Sequence, residues 1–165
     1  MPLSPEELLS RLEKAGYDTK TVTHAPLFTV GDSIALRGEI PGRHTKNLFL
    51  KDKKDNFFLV TVGEDRQVDL KALHKIIGGA SKLSFGRPDK LMDYLGVKPG
   101  AVTAFSVVND TAGKVKAVLD AELMEHAMIN AHPLTNEATT TIRREDLIDF
   151  MTSTGHKPEI LGVSS

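Results

Sequence analysis

The stretch KNLFLKDKKDNFFLVTV, residues 46–62, decides how the chain is read. Two apolar runs flank the polar tetrad KKDN, which is the pattern of a β-hairpin whose turn is made by Asp and Asn. Its first strand begins oddly. Lys46 and Asn47 stand at the mouth of a segment that becomes fully apolar one residue later. A solvated strand end accounts for such a pair, and so does a cation aimed at an anionic ligand.

The hairpin sits in a chain of clear elements. Ser4, Pro5 and Glu7 predict a capped helix start, with Leu8, Leu9 and Leu12 as its apolar stripe and Gly16 as its stop. YDTKTVTH (17–24) predicts a short strand, and TVGDSIALRG (29–38) a short helix. After the hairpin, Asp69 caps a helix whose Leu70, Leu73, Ile76 and Ile77 follow a 3.6-residue period up to Gly78-Gly79. KLSF (82–85) reads as a strand fragment and RPDKLMDYLG (87–96) as a helix. AVTAFSVV (101–108), KVKAVLD (114–120), AMINAHPL (127–134) and NEATTTI (136–142) read as strands, and REDLIDFMTSTG (144–155) as the last long helix. Neighbouring strands with helices between only some of them argue a mixed α/β fold with much antiparallel pairing. With no repeat or linker, residues 1–165 form one domain.

Composition narrows the chemistry. Hydrophobic residues make up 40% and charged residues 26%, the balance of a globular protein. The absence of cysteine excludes thiol catalysis and thiolate metal sites. The acidic start MPLSPEELL does not read as a signal peptide, and no run is apolar enough to span a membrane, so a cytoplasmic location is expected. Net charge is −1, but Arg37, Arg43, Lys46, Lys51, Lys53 and Lys54 crowd one stretch against Glu39 and Asp52. A local basic patch suits a partner that presents one phosphate-bearing end; a long DNA duplex or a membrane is not expected.

None of the six histidines falls into a metal-ligand spacing, and no G-x-S-x-G elbow, Walker loop or dinucleotide fingerprint occurs. Neither a metal nor another cofactor is expected. Polar residues do interrupt apolar segments in THAPLFTV (23–30), HTKNLFL (44–50) and NAHPLTNEATT (130–140). In the last, Pro133 restricts His132 to extended backbone and so fixes its aim. Pro99-Gly100 adds a turn where a ligand can approach the main chain.

In order along the chain, THAPLFTV, TKNLFLKDKK…FFLVTV, LGVKPGAVTAFSVVND, VLDAELME, INAHPLTNEATTTI and DLIDFMTSTGHKP resemble the YbaK/ProX family of aminoacyl-tRNA editing proteins, above all its free-standing ProX branch. The resemblance implies a mixed, largely antiparallel, barrel-like sheet flanked by helices. It implies hydrolysis of the ester joining an amino acid to the terminal adenosine of tRNA, with alanine mischarged on proline tRNA as substrate. A deacylase for a Cys- or Ser-type misacylated tRNA, and a non-catalytic regulator that binds tRNA ends, are the alternatives. The implied partners are the 3′ end of a mischarged tRNA and prolyl-tRNA synthetase. The family's lysine, asparagine, loop glycine and histidine fall on Lys46, Asn47, Gly100 and His132. The proline of its G-x-x-x-P loop is replaced by Ala104. Phe28, Val30 and Phe49 are the candidates for a steric wall around the amino acid, with Asn136 as a further substrate contact.

Overall fold

The computed structural model describes residues 2–26 and 40–165. The hairpin of residues 46–62 is its centre. Strand β2 (Arg43–Lys51) pairs antiparallel with β3 (Phe57–Gly63), Thr45 facing Gly63 and Lys51 facing Phe57. Asp52 closes the turn. Its carboxylate accepts the main-chain N–H groups of Lys54, Asn56 and Ala80 and the Asn56 amide. Burial opposes the charge on Asp52, but these donors outweigh it and bring its pKa to about 2.

The remaining strands build outward on both sides. They are β1 (Thr19–Thr23), β4 (Ser84–Phe85), β5 (Val115–Asp120), β6 (Met128–Ala131), β7 (Ala138–Arg143) and β8 (Glu159–Leu161). The order is β1-β7-β6-β2-β3-β5-β8, with β4 also on β2. The β2–β6, β3–β5 and β5–β8 pairings are parallel and the others antiparallel, so the sheet is mixed. Among the described residues β1 and β8 are free edges; the barrel-like sheet expected from the resemblance is not closed.

Helices cover the two faces unequally. Helices α1 (Pro5–Lys14), α3 (Pro88–Leu95) and α4 (Arg144–Ser153) pack Leu8, Leu12, Leu91, Leu95 and Phe150 onto the back, against Phe49, Phe57, Leu59, Ile129 and Ile142. Helix α2 (Leu70–Ile77) lays Leu73 and Ile77 on the front, over Leu50, Phe58, Val60, Val62 and Val118. Full burial stabilises each such side chain by about 1.5–3 kcal/mol. The Ser4–Glu7 capping box forms, and Gly78 and Gly96 end their helices in the left-handed region as expected. Ile76, assigned to the apolar stripe of α2, is 45% exposed.

One element differs from its sequence reading. Residues 101–108 form no strand; Pro99–Ala101 and Ala104–Asn109 are 3-10 turns. All five residues from Ala104 to Val108 are buried, so the two-residue alternation of a half-buried strand has no meaning there. Thr103 instead acts as a cap, its hydroxyl accepting the Phe105 N–H at 3.3 Å. The short helix expected over 29–38 lies outside the described residues.

Candidate functional site

The site begins where two parallel strands part. Arg43 faces Ile129 and His44 faces Asn130, and there the β2–β6 ladder stops. The Thr45 hydroxyl donates to the Asn130 carbonyl at 2.7 Å, so a side chain makes the last link. The next strand on that side of β2 is β4, at Leu50 and Lys51. Among the described residues, positions 45–49 therefore have no strand partner on this edge. Had the register continued for two residues, Lys46 would stand beside His132.

Strand alternation and the pairings sort side chains between the faces. His44 and Lys46 of β2 point to the front, as do Asn130 and, by continuation, His132 beyond β6. Val22 of β1 and Thr139 of β7 share that face, and His24 joins it by hydrogen-bonding Thr139 Oγ1 through Nε2 at 2.9 Å. Lys46 is half-buried, and its ammonium has no hydrogen bond or ion pair among the described residues. The His24 and His132 rings lie 6.3 Å apart.

The tautomer of His132 follows from its partner. Its Nδ1 lies 2.9 Å from the Ala138 carbonyl, which can only accept, so Nδ1 carries the proton. Burial pushes the pKa of His132 below its ordinary value. The Ala138 bond works the other way, His24 and His44 add to the depression, and Glu64 opposes it. At neutral pH the ring is uncharged and Nε2 is left as an acceptor.

Asn47 points to the other face, and its amide is occupied. Nδ2 donates to the Val102 carbonyl at 3.2 Å, and Oδ1 accepts the Thr61 hydroxyl at 2.6 Å. It fastens the Pro99–Val102 turn to the hairpin. Gly100 is exposed in that turn, and a Cβ on it would meet only Asn136 Nδ2, at 3.5 Å. Gly100, Lys98, Leu134 and Asn136 line a groove of about 580 Å³. The loop 132–137 thus carries His132 at one end and reaches this groove at the other. Leu134 holds φ at 65°, a conformation that costs a bulky residue strain and fixes the loop's path.

The expected residues are therefore divided. Lys46 and His132 share a face at the parting; Gly100 and Asn136 share the groove; Asn47 braces between hairpin and turn. Phe49 is 5% exposed and stacks on Phe57 at 5.5 Å, in the core on the face opposite Lys46. It walls neither surface. Phe28 and Val30 lie outside the described residues. Ala104 is buried and opens a 3-10 turn already held by Thr103, so the missing proline leaves no solvent-exposed gap. His24, His44 and Thr139 were not singled out from sequence, although their matching strand parity carried the signal. Among the described residues no three His, Asp or Glu side chains gather as a metal would require, and no helix is long and apolar enough to cross a membrane.

Among the described residues, an uncharged imidazole acceptor and an ammonium without hydrogen bond or ion pair thus lie on one face of the sheet, where two strands part. Residues 24–150 match the family model for the aminoacyl-tRNA editing domain. The chain is 40% identical to the mouse (Mus musculus) prolyl-tRNA synthetase associated domain-containing protein 1, over 94% of each chain. It is 32% identical to the prolyl-tRNA editing protein ProX of Acetoanaerobium sticklandii, over 92% of each. A crystal structure provisionally described as a trans-editing enzyme for prolyl tRNA synthetase shares the fold, with a TM-score of 0.72 and 22% identity over 97% of this chain and 98% of that one. The chain belongs to the aminoacyl-tRNA editing domain family, in its YbaK/ProX group, and is by that membership an aminoacyl-tRNA deacylase.

Proposed function

We propose that the protein acts in trans on tRNA mischarged by a synthetase, and that its substrate is Ala-tRNA(Pro). The ester of an aminoacyl-tRNA is already activated, so no strong nucleophile is required. What is required is a fixed adenosine, an oriented water and donors for the developing oxyanion. Lys46 holds the terminal phosphate as a point charge. Neutral His132 accepts a proton from the water or from a substrate donor through Nε2. The aminoacyl group reaches the groove at Gly100 and Asn136, where the Gly100 N–H faces the carbonyl oxygen. The vicinal ribose hydroxyl of the substrate helps activate the water.

The observation that carries this reading is a Lys46 ammonium without a hydrogen bond or ion pair among the described residues, on the same face as a His132 whose Nδ1 is already committed. Choice of alanine over proline is steric, because overfilling a rigid wall costs strain, whereas apolar contact alone discriminates by only about 1–3 kcal/mol per methylene. Phe28 and Val30, which lie outside the described residues, are the candidates for that wall. The test is to incubate the protein with Ala-tRNA(Pro), Pro-tRNA(Pro), Cys-tRNA(Pro) and Ala-tRNA(Ala) and follow release of the amino acid. Rapid loss of alanine from the proline tRNA alone is expected. Preferential loss of cysteine, or binding without turnover, overturns the assignment.

A further inference from the structure

Phe85 is 60% exposed, the most exposed large apolar side chain among the described residues. It belongs to the two-residue strand β4 and faces Leu50 across the pairing with β2. Residues directly opposite share a face, so Phe85 projects on the front with Leu50, Leu48 and Lys46. Gly86 fixes that orientation from behind. A Cβ there would lie 2.3 Å from the Phe49 ring, so the back of this edge is closed by the core. Strands β6 and β4 lie on the same edge of β2, and among the described residues no strand pairs with positions 45–49 between them, although the Gly86 N–H still reaches the Phe49 carbonyl at 2.9 Å. Lys46 stands at one end of that opening and Phe85 at the other, about 13 Å apart along the strand at about 3.3 Å per residue.

The surroundings of Phe85 are basic. The Lys53 N–H bonds Ser81 Oγ at 2.9 Å, which brings the hairpin turn beside Ser81 and Lys82. Lys53, Lys54 and Lys82 are exposed, and their ammonium groups have no ion-pair partner among the described residues. Lys51 and Arg87, near Phe85 through the strand pairing and along the chain, are each matched by an acid, Asp55 and Asp89. An exposed ring on the same sheet edge as lysines that lack an ion pair among the described residues, in line with the candidate phosphate anchor, has the chemistry of a platform for unpaired nucleotides. Bases stack on the ring and phosphates meet the lysines.

We propose that Phe85 stacks on a base of the single-stranded 3′ tail of the tRNA substrate, upstream of the terminal nucleotide held at Lys46. This rests on the editing function proposed above, with the tail running along the open edge of β2 from β4 toward β6. The stacked base sets how far the tail reaches and so helps deliver the ester to the parting of β2 and β6.

The experiment measures binding of uncharged tRNA(Pro), and of the same tRNA trimmed of its last four nucleotides, to the wild type, Phe85→Ala and Phe85→Tyr. The wild type is expected to bind intact tRNA better than trimmed. Phe85→Ala should lose about tenfold on intact tRNA, in the range of one base stacked on an aromatic ring, and nothing on the trimmed form. Phe85→Tyr should keep the wild-type affinity, and an unchanged melting temperature in both variants excludes misfolding. Equal binding of intact tRNA by Phe85→Ala and wild type overturns the stacking proposal alone. An equal loss on both RNAs also overturns it, because the contact is then not with the tail. If Phe85→Ala binds tRNA normally but no longer captures purified prolyl-tRNA synthetase, the surface is a protein dock. A wild type that binds neither RNA removes the editing reading and the proposal together.

Discussion

Asn47 and Val102 are joined across the back of the sheet: the Asn47 amide donates to the Val102 carbonyl at 3.2 Å and accepts from Thr61 on its other side. The residue beside the candidate anchor therefore spends both halves of its side chain on holding the Gly100 turn. Asn47→Ala leaves a carbonyl and a hydroxyl without their partner. A loss of about 1–3 kcal/mol in urea unfolding is expected, together with a fall in kcat for deacylation. Unchanged stability would show that the turn is held by other means.

Lys46→Ala is expected to abolish deacylation while changing unfolding free energy by less than about 0.5 kcal/mol, since the ammonium has no partner to lose among the described residues. Lys46→Arg keeps the charge but changes its shape and should retain part of the activity. Single-turnover hydrolysis with a parallel thermal melt separates the two effects. Wild-type turnover in Lys46→Ala removes Lys46 as the anchor.

His132 gives the activity an acid limb. Burial lowers the pKa of its ring from the ordinary 6.5, and His24, His44 and Glu64 are the titratable groups whose charges act on it. Activity should be constant near neutrality and fall below pH 6.5 as Nε2 takes up a proton. Stability follows the same sign. The folded pKa lies below the unfolded one, so the neutral ring's contribution is complete above 6.5 and declines as pH falls toward the folded value. His132→Gln should remove the limb from the pH–rate profile; an identical limb in that variant assigns it elsewhere.

Asp52 predicts a second, more acid transition. Its folded pKa of about 2 lies below the ordinary carboxylate value of 3.8, so its contribution is full above 3.8 and disappears as pH falls through about 2. The difference corresponds to about 2 kcal/mol at neutral pH. Urea unfolding of wild type and Asp52→Asn across this range should converge at the acid end. A constant gap between them would mean that shape, not charge, holds the hairpin turn to Ala80.

Much of this was legible in local sequence. The hairpin, the Ser4 cap, the Asp69 cap and the glycine stops each announce themselves within a few residues, because local chemistry determines them. Residues 101–108 were not legible as turns, since an apolar run buried on all sides carries no period; Thr103 and Asp110 were the available signs. Lys46 and His132 could be singled out one at a time, but their common face depends on a parallel pairing between residues 86 apart in sequence, Arg43 with Ile129 and His44 with Asn130. Phe49 shows the effect of strand alternation: it lies on the face of Asn47, opposite Lys46, and packs in the core. Phe85 looked like the end of a strand fragment because exposure on so short an edge is set by what covers it, not by sequence alternation.

The Thr45–Asn130 link has one further consequence. Where pairing lapses in the middle of a sheet, the width of the gap is governed by how two stiff ribbons splay, not by a loop that can be lengthened or trimmed. Substitutions around its rim then change what the opening holds while leaving its breadth almost untouched. A scaffold of that kind can switch its preferred cargo without being rebuilt.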